Sequence, residues 1–561
     1  IKRLQGSVLF KHEETLMNCD SAYFNTVKNY IQAFSKIHLN QGDSIHLYGD
    51  SMVYDGNTRI AYVRKNVKLT HDEAVLTTDS LNYDRNTDIA YYFNYGKIVD
   101  KKNTLESNYG YYYSKIKDYI AVDSVVLINP DYIIYSDTLK YNINSETSWF
   151  YGPTEIISDS NYIYCENGWY NTNSDICQFN KNAYYTNKKQ SLKGDSLYYD
   201  RKNGIGKAFI NIEMVDSAEN VLLTGNYAIY YEHPESSMAT DSAVFIQVTD
   251  GDSLFLHGDT LFYITVTDTI IKRKNICFND TAYLSMNVKV IDTLLVKKDS
   301  IYCRIETIIV DSTFVTDTII YYPKDSLVIE YDTIKDFKLL LAYYRVRSYK
   351  SDLQSKCDSL VYSFRDSVIE MYYEPVIWSE KNQLTATYIE LHTKNEKPDY
   401  IVLQDAAFII SREDSLRFNQ IKGRDMIGYF RNDSLFRVNV DGNGQSVYFV
   451  KEEDKNDSIE KLIGVNKAEG SRLVIYLEDN EPQKIMFFTK PEGVMNPVEY
   501  LPLGDLRLKD FIWLEDIKPL NRYDIFIWYG LSKAVKQIQI IDEEGVDDDA
   551  DESEVPIEIP E

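Results

Sequence analysis

No apolar run in this chain of 561 residues approaches the ~20 residues that an α-helical membrane span requires. Basic residues are outnumbered, with 60 Lys and Arg against 86 Asp and Glu, for a formal charge of −26. A nucleic-acid partner is therefore excluded, because a duplex needs a basic stripe. The bland role of such charge is solubility for a long β protein with exposed edges. Cysteine is scarce: the six (Cys19, Cys165, Cys177, Cys277, Cys303, Cys357) are scattered with no CxxC pair. They read as buried small residues, and their spacing leaves open whether any of them pair. The seven histidines form no HxxxH or HExxH group, and His38 and His46, eight apart, make a poor metal pair. There is no GxSxG elbow and no Walker loop, so no nucleophile and base can be named. No enzyme, cofactor or metal site is expected.

What is present is a repeated phrase: a small or polar residue, Asp, Ser or Thr, an apolar residue, any residue, and an aromatic. It reads Gly49-Asp50-Ser51-Met52-Val53-Tyr54, then Thr78-Asp79-Ser80-Leu81-Asn82-Tyr83, Ser136-Asp137-Thr138-Leu139-Lys140-Tyr141 and Gly194-Asp195-Ser196-Leu197-Tyr198-Tyr199. It returns as Gly258-Asp259-Thr260-Leu261-Phe262-Tyr263 and Cys357-Asp358-Ser359-Leu360-Val361-Tyr362. The first two copies are 29 residues apart and the next two intervals are 58, twice that period. A fixed period of this size marks one supersecondary unit stacked on copies of itself. The skipped periods hold Ser107-Asn108-Tyr109-Gly110-Tyr111-Tyr112 and Cys165-Glu166-Asn167-Gly168-Trp169-Tyr170, which keep the last aromatic but carry Gly where Leu belongs.

Within each phrase the apolar residue and the aromatic share one face at period two, as in a half-buried antiparallel strand. Turn residues follow, such as Asp55-Gly56-Asn57 and Asp84-Arg85-Asn86. A second strand then carries a small-aromatic pair (Ala61-Tyr62, Ala90-Tyr91) and an apolar pair (Val67 with Leu69, Ile98-Val99). With 48 Tyr and no helical periodicity between strands, the fold class is all-β. The expected division is a repeat array over 1–263, a β-rich insertion over 264–336 and the array continued over 337–498. A C-terminal cap or docking segment over 499–541 and an acidic disordered tail over 542–561 follow.

The recurring Asp invites a catalytic or calcium reading. Next to a hydroxyl residue at a strand start, it is better explained as a turn cap accepting backbone N–H groups. Calcium-binding rolls need glycine-rich nonapeptides, which are lacking. The run Asp441-Gly442-Asn443-Gly444 reads as a hairpin turn. Interest then moves to the apolar face: Met52, Tyr54, Leu81, Tyr83, Leu139, Tyr141, Leu197, Tyr199, Leu261, Tyr263, Leu360 and Tyr362. In a closed stack these form a dry core; in an open one they line a groove that suits an extended amphiphile. Each buried methylene then contributes about 0.8 kcal/mol.

The opening residues, Gly6-Ser7-Val8-Leu9-Phe10 through Cys19-Asp20-Ser21-Ala22-Tyr23, with Gln41-Gly42-Asp43-Ser44 and Leu47-Tyr48-Gly49-Asp50, resemble the OstA-like proteins of Bacteroidota. Tyr476-Leu477-Glu478-Asp479-Asn480 and Pro491-Glu492-Gly493 fit as well, and the resemblance covers about 1–263 and 337–498. These proteins are similar to the LptA-like bridge component of lipopolysaccharide transport. The resemblance implies an elongated, twisted, semi-open β-jelly roll. It further implies a non-enzymatic periplasmic bridge whose twelve inward positions above hold lipid A acyl chains. Partners would be lipopolysaccharide and other transport proteins, met by end-to-end strand stacking. Since Ile1 already lies in a strand-like pattern, a secretion signal is expected upstream. The length, the insertion and the acidity depart from a simple bridge subunit. Anionic lipid A is repelled by the bulk charge, and only the pairs Arg64-Lys65, Lys101-Lys102, Lys188-Lys189 and Arg201-Lys202 are placed to offset this. The alternatives are a β-solenoid scaffold or adhesin-like interaction module with a closed dry core, and a carbohydrate-active solenoid using the exposed Asp residues.

Overall fold

The computed structural model describes residues 1–269 and 334–529, less 13–14, 42–44, 72, 101, 250, 395–396, 433, 454–459, 479–480, 490 and 498–501, with strands between Ile276 and Tyr322. The acidic 542–561 segment and Lys101 lie outside the described residues. No α-helix occurs among the described residues, and most strands join one antiparallel sheet.

From Lys2–His12 to Val221–Tyr231 each strand pairs with its predecessor and its successor in the chain, giving an uninterrupted meander. The strands are 10 to 12 residues long and bend at the middle, where the register slips. In every second strand the slip falls at the Asp of the phrase, for example between Tyr48 and Ser51. In the intervening strands two consecutive residues turn left-handed: Lys65-Asn66, Asn94-Tyr95, Asp123-Ser124, Lys181-Asn182 and Ile210-Asn211. Such pairs are costly for L-residues and sharply redirect a strand. The repeat of these corners every 29 or so residues creases the sheet along its whole length into two facing leaves. Leaf one holds the residues before the phrase's Asp, such as Ile45–Gly49. Leaf two holds those after it, such as Ser51–Asp55.

The Asp therefore does not sit in a turn, which corrects the capping expectation. It lies on the outer crease, where Asp50 Oδ2 accepts from Asn66 Nδ2 at 2.6 Å and Asp195 from Asn211 at 3.4 Å; in the rung that lacks the phrase's Asp the roles reverse, and Asn108 donates to Asp123 at 3.0 Å. Asp441-Gly442-Asn443-Gly444 is likewise a crease inside the strand Ser434–Glu453, not a hairpin turn. The true turns close leaf two, and Asp55-Gly56-Asn57 is one of them. Their backbones stack along its edge: Arg85 N donates to Arg59 O, Ile143 N to Lys117 O and Thr172 N to Glu146 O, at 3.0 to 3.1 Å.

The two rungs with Gly in place of Leu are full members of the sheet. At Gly110 the ring of Tyr92 from the neighbouring strand fills the vacated space, and at Gly168 Phe179 packs there. A Cβ on Gly110 would lie 2.2 Å from the Tyr92 ring, and one on Gly96 2.4 Å. Buried Tyr92 bonds through its hydroxyl to Ser107 at 2.5 Å and Tyr119 at 2.6 Å, so its polar end is satisfied within the core.

Beyond Tyr231 the creased pattern continues, with several strands broken in two at the crease (Ser236–Thr240 and Val244–Gln247; Leu254–His257 and Thr260–Thr269). Thr260–Thr269 pairs with Ile334–Tyr349 from Thr260↔Tyr343 to Thr269↔Ile334, so the sheet reaches into both ends of the 264–336 range. The strands between Ile276 and Tyr322 pair among themselves in two small sheets. Residues 502–529 cross the outer surface of leaf one as a strap. Leu506 packs on Val447 and Phe449, Phe511 and Trp513 on Phe408 and Phe418, and Leu514 and Ile517 on Val376 and Trp378. Two buried glutamines act as its backbone partners. Gln420 donates to Leu506 O and accepts from Leu508 N, both at 2.8 Å, and Gln383 does the same for Ile512 O and Leu514 N.

Candidate functional site: a creased apolar channel

Two layers of side chains face each other between the leaves. Next to the crease they are fully enclosed: Met52 is 3% exposed, Leu81 1%, Leu139 0%, Leu197 7%, Leu261 0% and Leu360 1%. One strand-pleat further out, over residues 1–231, the inward side chains are half-buried. Leaf two contributes Tyr54, Tyr83, Tyr112, Tyr141, Tyr170 and Tyr199, at a constant spacing of 29. Leaf one contributes Leu39, Leu69, Ile98, Leu127 and Ile156. Strands lie ~4.8 Å apart, so successive tyrosines of this row stand roughly 10 Å apart along the mouth.

Of the twelve residues picked from the pattern, the six Leu and Met form the floor, and Tyr54, Tyr83, Tyr141 and Tyr199 form one rim. Tyr263 is enclosed at 3% exposed, whereas Tyr362 is partly buried and stacks on Phe364. Leaf one's rim was missed, although the apolar pairs Val67 with Leu69 and Ile98-Val99 were visible signals. Tyr112 and Tyr170 were also missed, because their rungs lack Asp-Ser. Arg64-Lys65 falls on the outer crease, away from the mouth; Lys188-Lys189 and Arg201-Lys202 lie in turns at the edges of leaf one and leaf two.

Three rim tyrosines are anchored by acids, two of them in the turn that follows the tyrosine and the third in a neighbouring turn. Tyr83 donates to Asp88 at 2.9 Å, Tyr170 to Asp175 at 2.7 Å, and Tyr199 to Glu232 at 2.9 Å. Burial, and then the acceptor Asp88, push the Tyr83 phenol up to about 12, and Tyr170 and Tyr199 rise for the same reasons. The phenols stay neutral, leaving an apolar ring face with a pinned polar tip. Burial raises the Cys165 and Cys177 thiols to about 12, which leaves them unreactive. Among the described residues no cluster of three or more His, Cys, Asp or Glu could hold a metal ion. Between the leaves the described residues present apolar side chains and neutral phenols.

Residues 1–137 and 155–236 match the OstA-like protein family. Those segments are similar to that family. The matched segments cover the half-buried rims except for residues 138–154, which include Tyr141, and OstA-like proteins are periplasmic transport bridges. A search of curated proteins found no match. No helix among the described residues is long and apolar enough to cross a membrane.

Proposed function

We propose that the OstA-like array is a non-enzymatic carrier that holds the acyl chains of lipopolysaccharide between its leaves, as part of a bridge toward the outer membrane. The observation that carries this reading is the unbroken double rim of half-buried Leu, Ile and Tyr over residues 1–231, in a region that matches a family of transport bridges. The rim lies above a dry floor, so a chain inserted between the leaves meets mainly apolar surface. Its partners are lipopolysaccharide and neighbouring transport proteins that continue the sheet at its ends, and its place is the periplasm. Photoreactive residues at Tyr83, Tyr141 and Tyr199 should capture lipopolysaccharide, and absence of adduct at all three sites overturns the reading. The second reading, a scaffold with a closed core, draws on the complete burial of Leu139 and Leu261; it predicts that no lipid copurifies with the protein.

A further inference from the structure

The mouth does not run the full length of the sheet. Beyond residue 231 most of the inward positions on the rim of leaf two are enclosed: Tyr263 is 3% exposed, Leu391 3% and Ile401 1%. At the change from half-open to closed, polar side chains span the mouth. Gln190 and Asp216 come from the edge of leaf one, and Glu235, Tyr263, Thr265 and Lys338 from leaf two. Tyr263 donates to Asp216 Oδ2 at 3.3 Å across the gap, and Gln190 reaches Glu235 at 3.5 Å. Thr265 and Lys338 are register partners. Glu235 accepts from Thr265 Oγ1 at 2.9 Å and pairs with Lys338 Nζ at 3.1 Å, and Lys338 donates to Thr265 Oγ1 at 2.6 Å.

Directly behind this latch the mouth is plugged. Phe364, from the turn after Leu353–Ser363, inserts between the leaves against Phe245 at 6.1 Å, Tyr263 at 5.9 Å and Tyr362 at 4.4 Å. Phe245 is 0% exposed and belongs to leaf one, so the aromatic cluster seals one leaf to the other.

An acyl chain advancing past this point has to displace packed rings and strip an ion pair of its partners. Burying an unpaired charge is far costlier than the gain from a few methylenes. We infer that the Asp216–Tyr263 and Glu235–Lys338 contacts, with Phe364 behind them, are the boundary of the lipid path: acyl chains occupy the rungs before residue 231 and do not continue into the second half of the sheet. This rests on the carrier reading above. It assigns Phe364 and Tyr263 as positioning residues for the cargo, with the second half of the sheet serving as support.

The test uses the whole chain with p-benzoylphenylalanine at Tyr141 or, separately, at Leu391, and purified lipid A as probe. In the otherwise unaltered protein lipid A should crosslink at Tyr141 and about tenfold less at Leu391. In Phe364→Ala/Tyr263→Phe, adduct at Leu391 should rise toward the Tyr141 level. Hydrogen exchange on protein without the photoreactive residue gives an independent readout. Lipid A should slow exchange within residues 1–231 and leave Tyr388–Lys394 unchanged unless Phe364 is cut back. Equal labelling at both sites in the unaltered protein, or no rise at Leu391 in a folded double variant, overturns the boundary alone. No adduct at Tyr141 in any variant overturns the carrier reading and the boundary with it.

Discussion

Tyr112, on the rim of leaf two, lies 3.1 Å from His71 Nδ1 on the rim of leaf one, with the ring centroids 5.9 Å apart. This contact joins two strands 41 residues apart in the chain and narrows the channel midway along the OstA-like array. A cargo chain lying between the leaves has to part it. Tyr112→Phe should therefore increase lipid A crosslinking at Tyr83 while lowering stability by about 1 kcal/mol, the typical worth of a hydrogen bond. Unchanged crosslinking in a folded variant would show that the pair does not guard the mouth.

The missing Leu of the Ser107–Tyr112 rung makes a sharp packing prediction. Gly110→Ala places a methyl group inside the volume of the Tyr92 ring, which is itself held by Ser107 and Tyr119. Overpacking of this kind costs about 1–3 kcal/mol. The urea midpoint should fall accordingly, and a midpoint equal to that of the unaltered protein would mean that Tyr92 has room to move.

Ile210 offers the opposite case. It is an exposed β-branched residue held at φ 58° at a crease where another rung uses Asn94. Ile210→Asn should stabilise the protein by roughly 1 kcal/mol, since left-handed backbone costs about that much more for Ile than for Asn. Thermal melts compare the two proteins directly.

Alkaline pH should loosen the array. Burial and neighbouring carboxylates raise the phenols of Tyr83 and Tyr230 to about 12, above the ordinary value of 10. For a group whose folded pKa is raised, the stability contribution is complete below the unfolded pKa and is lost as pH climbs through the folded one. Stability measured by denaturant titration should thus hold below about pH 10 and decline between there and about 12. Tyr83→Phe should flatten part of that decline. A decline of equal size in that variant would remove Tyr83 from the cause.

The strap can be loosened at one residue. Gln420→Ala deletes both hydrogen bonds to Leu506 and Leu508 and leaves those buried backbone groups unpaired. Stability should drop by about 2–4 kcal/mol, with hydrogen exchange at Leu508 accelerating before exchange in the strands beneath it. Simultaneous acceleration would show that strap and sheet unfold as one unit.

Period-two alternation and the 29-residue spacing were enough to identify the all-β array and the floor of the channel, because Leu and Tyr recur there in fixed chemistry. The crease was not legible. Its left-handed positions are shared by Lys65, Asn94, Asp123 and Ile210, which have a conformation in common and no side-chain type. Reading Asp-Ser as a turn followed from that gap, since the same carboxylate chemistry serves a turn and a mid-strand corner. The strap was visible only as a change of composition, because Gln383 and Gln420 meet their partners 129 and 86 residues away. The closing of the mouth at Phe364 was hidden for the same reason.

The strap has a mechanical meaning. Everywhere in the creased sheet the covalent chain runs crosswise, and only hydrogen bonds run from end to end. A pull on the two ends therefore loads weak bonds in series, ladder after ladder. Residues 502–529 run the other way, from the strand of Val465 back to that of His257, where Phe526 sits 4.7 Å from the imidazole. Over that stretch the molecule carries a covalent tendon along the direction of load, and it is the OstA-like half, without one, that would yield first under tension.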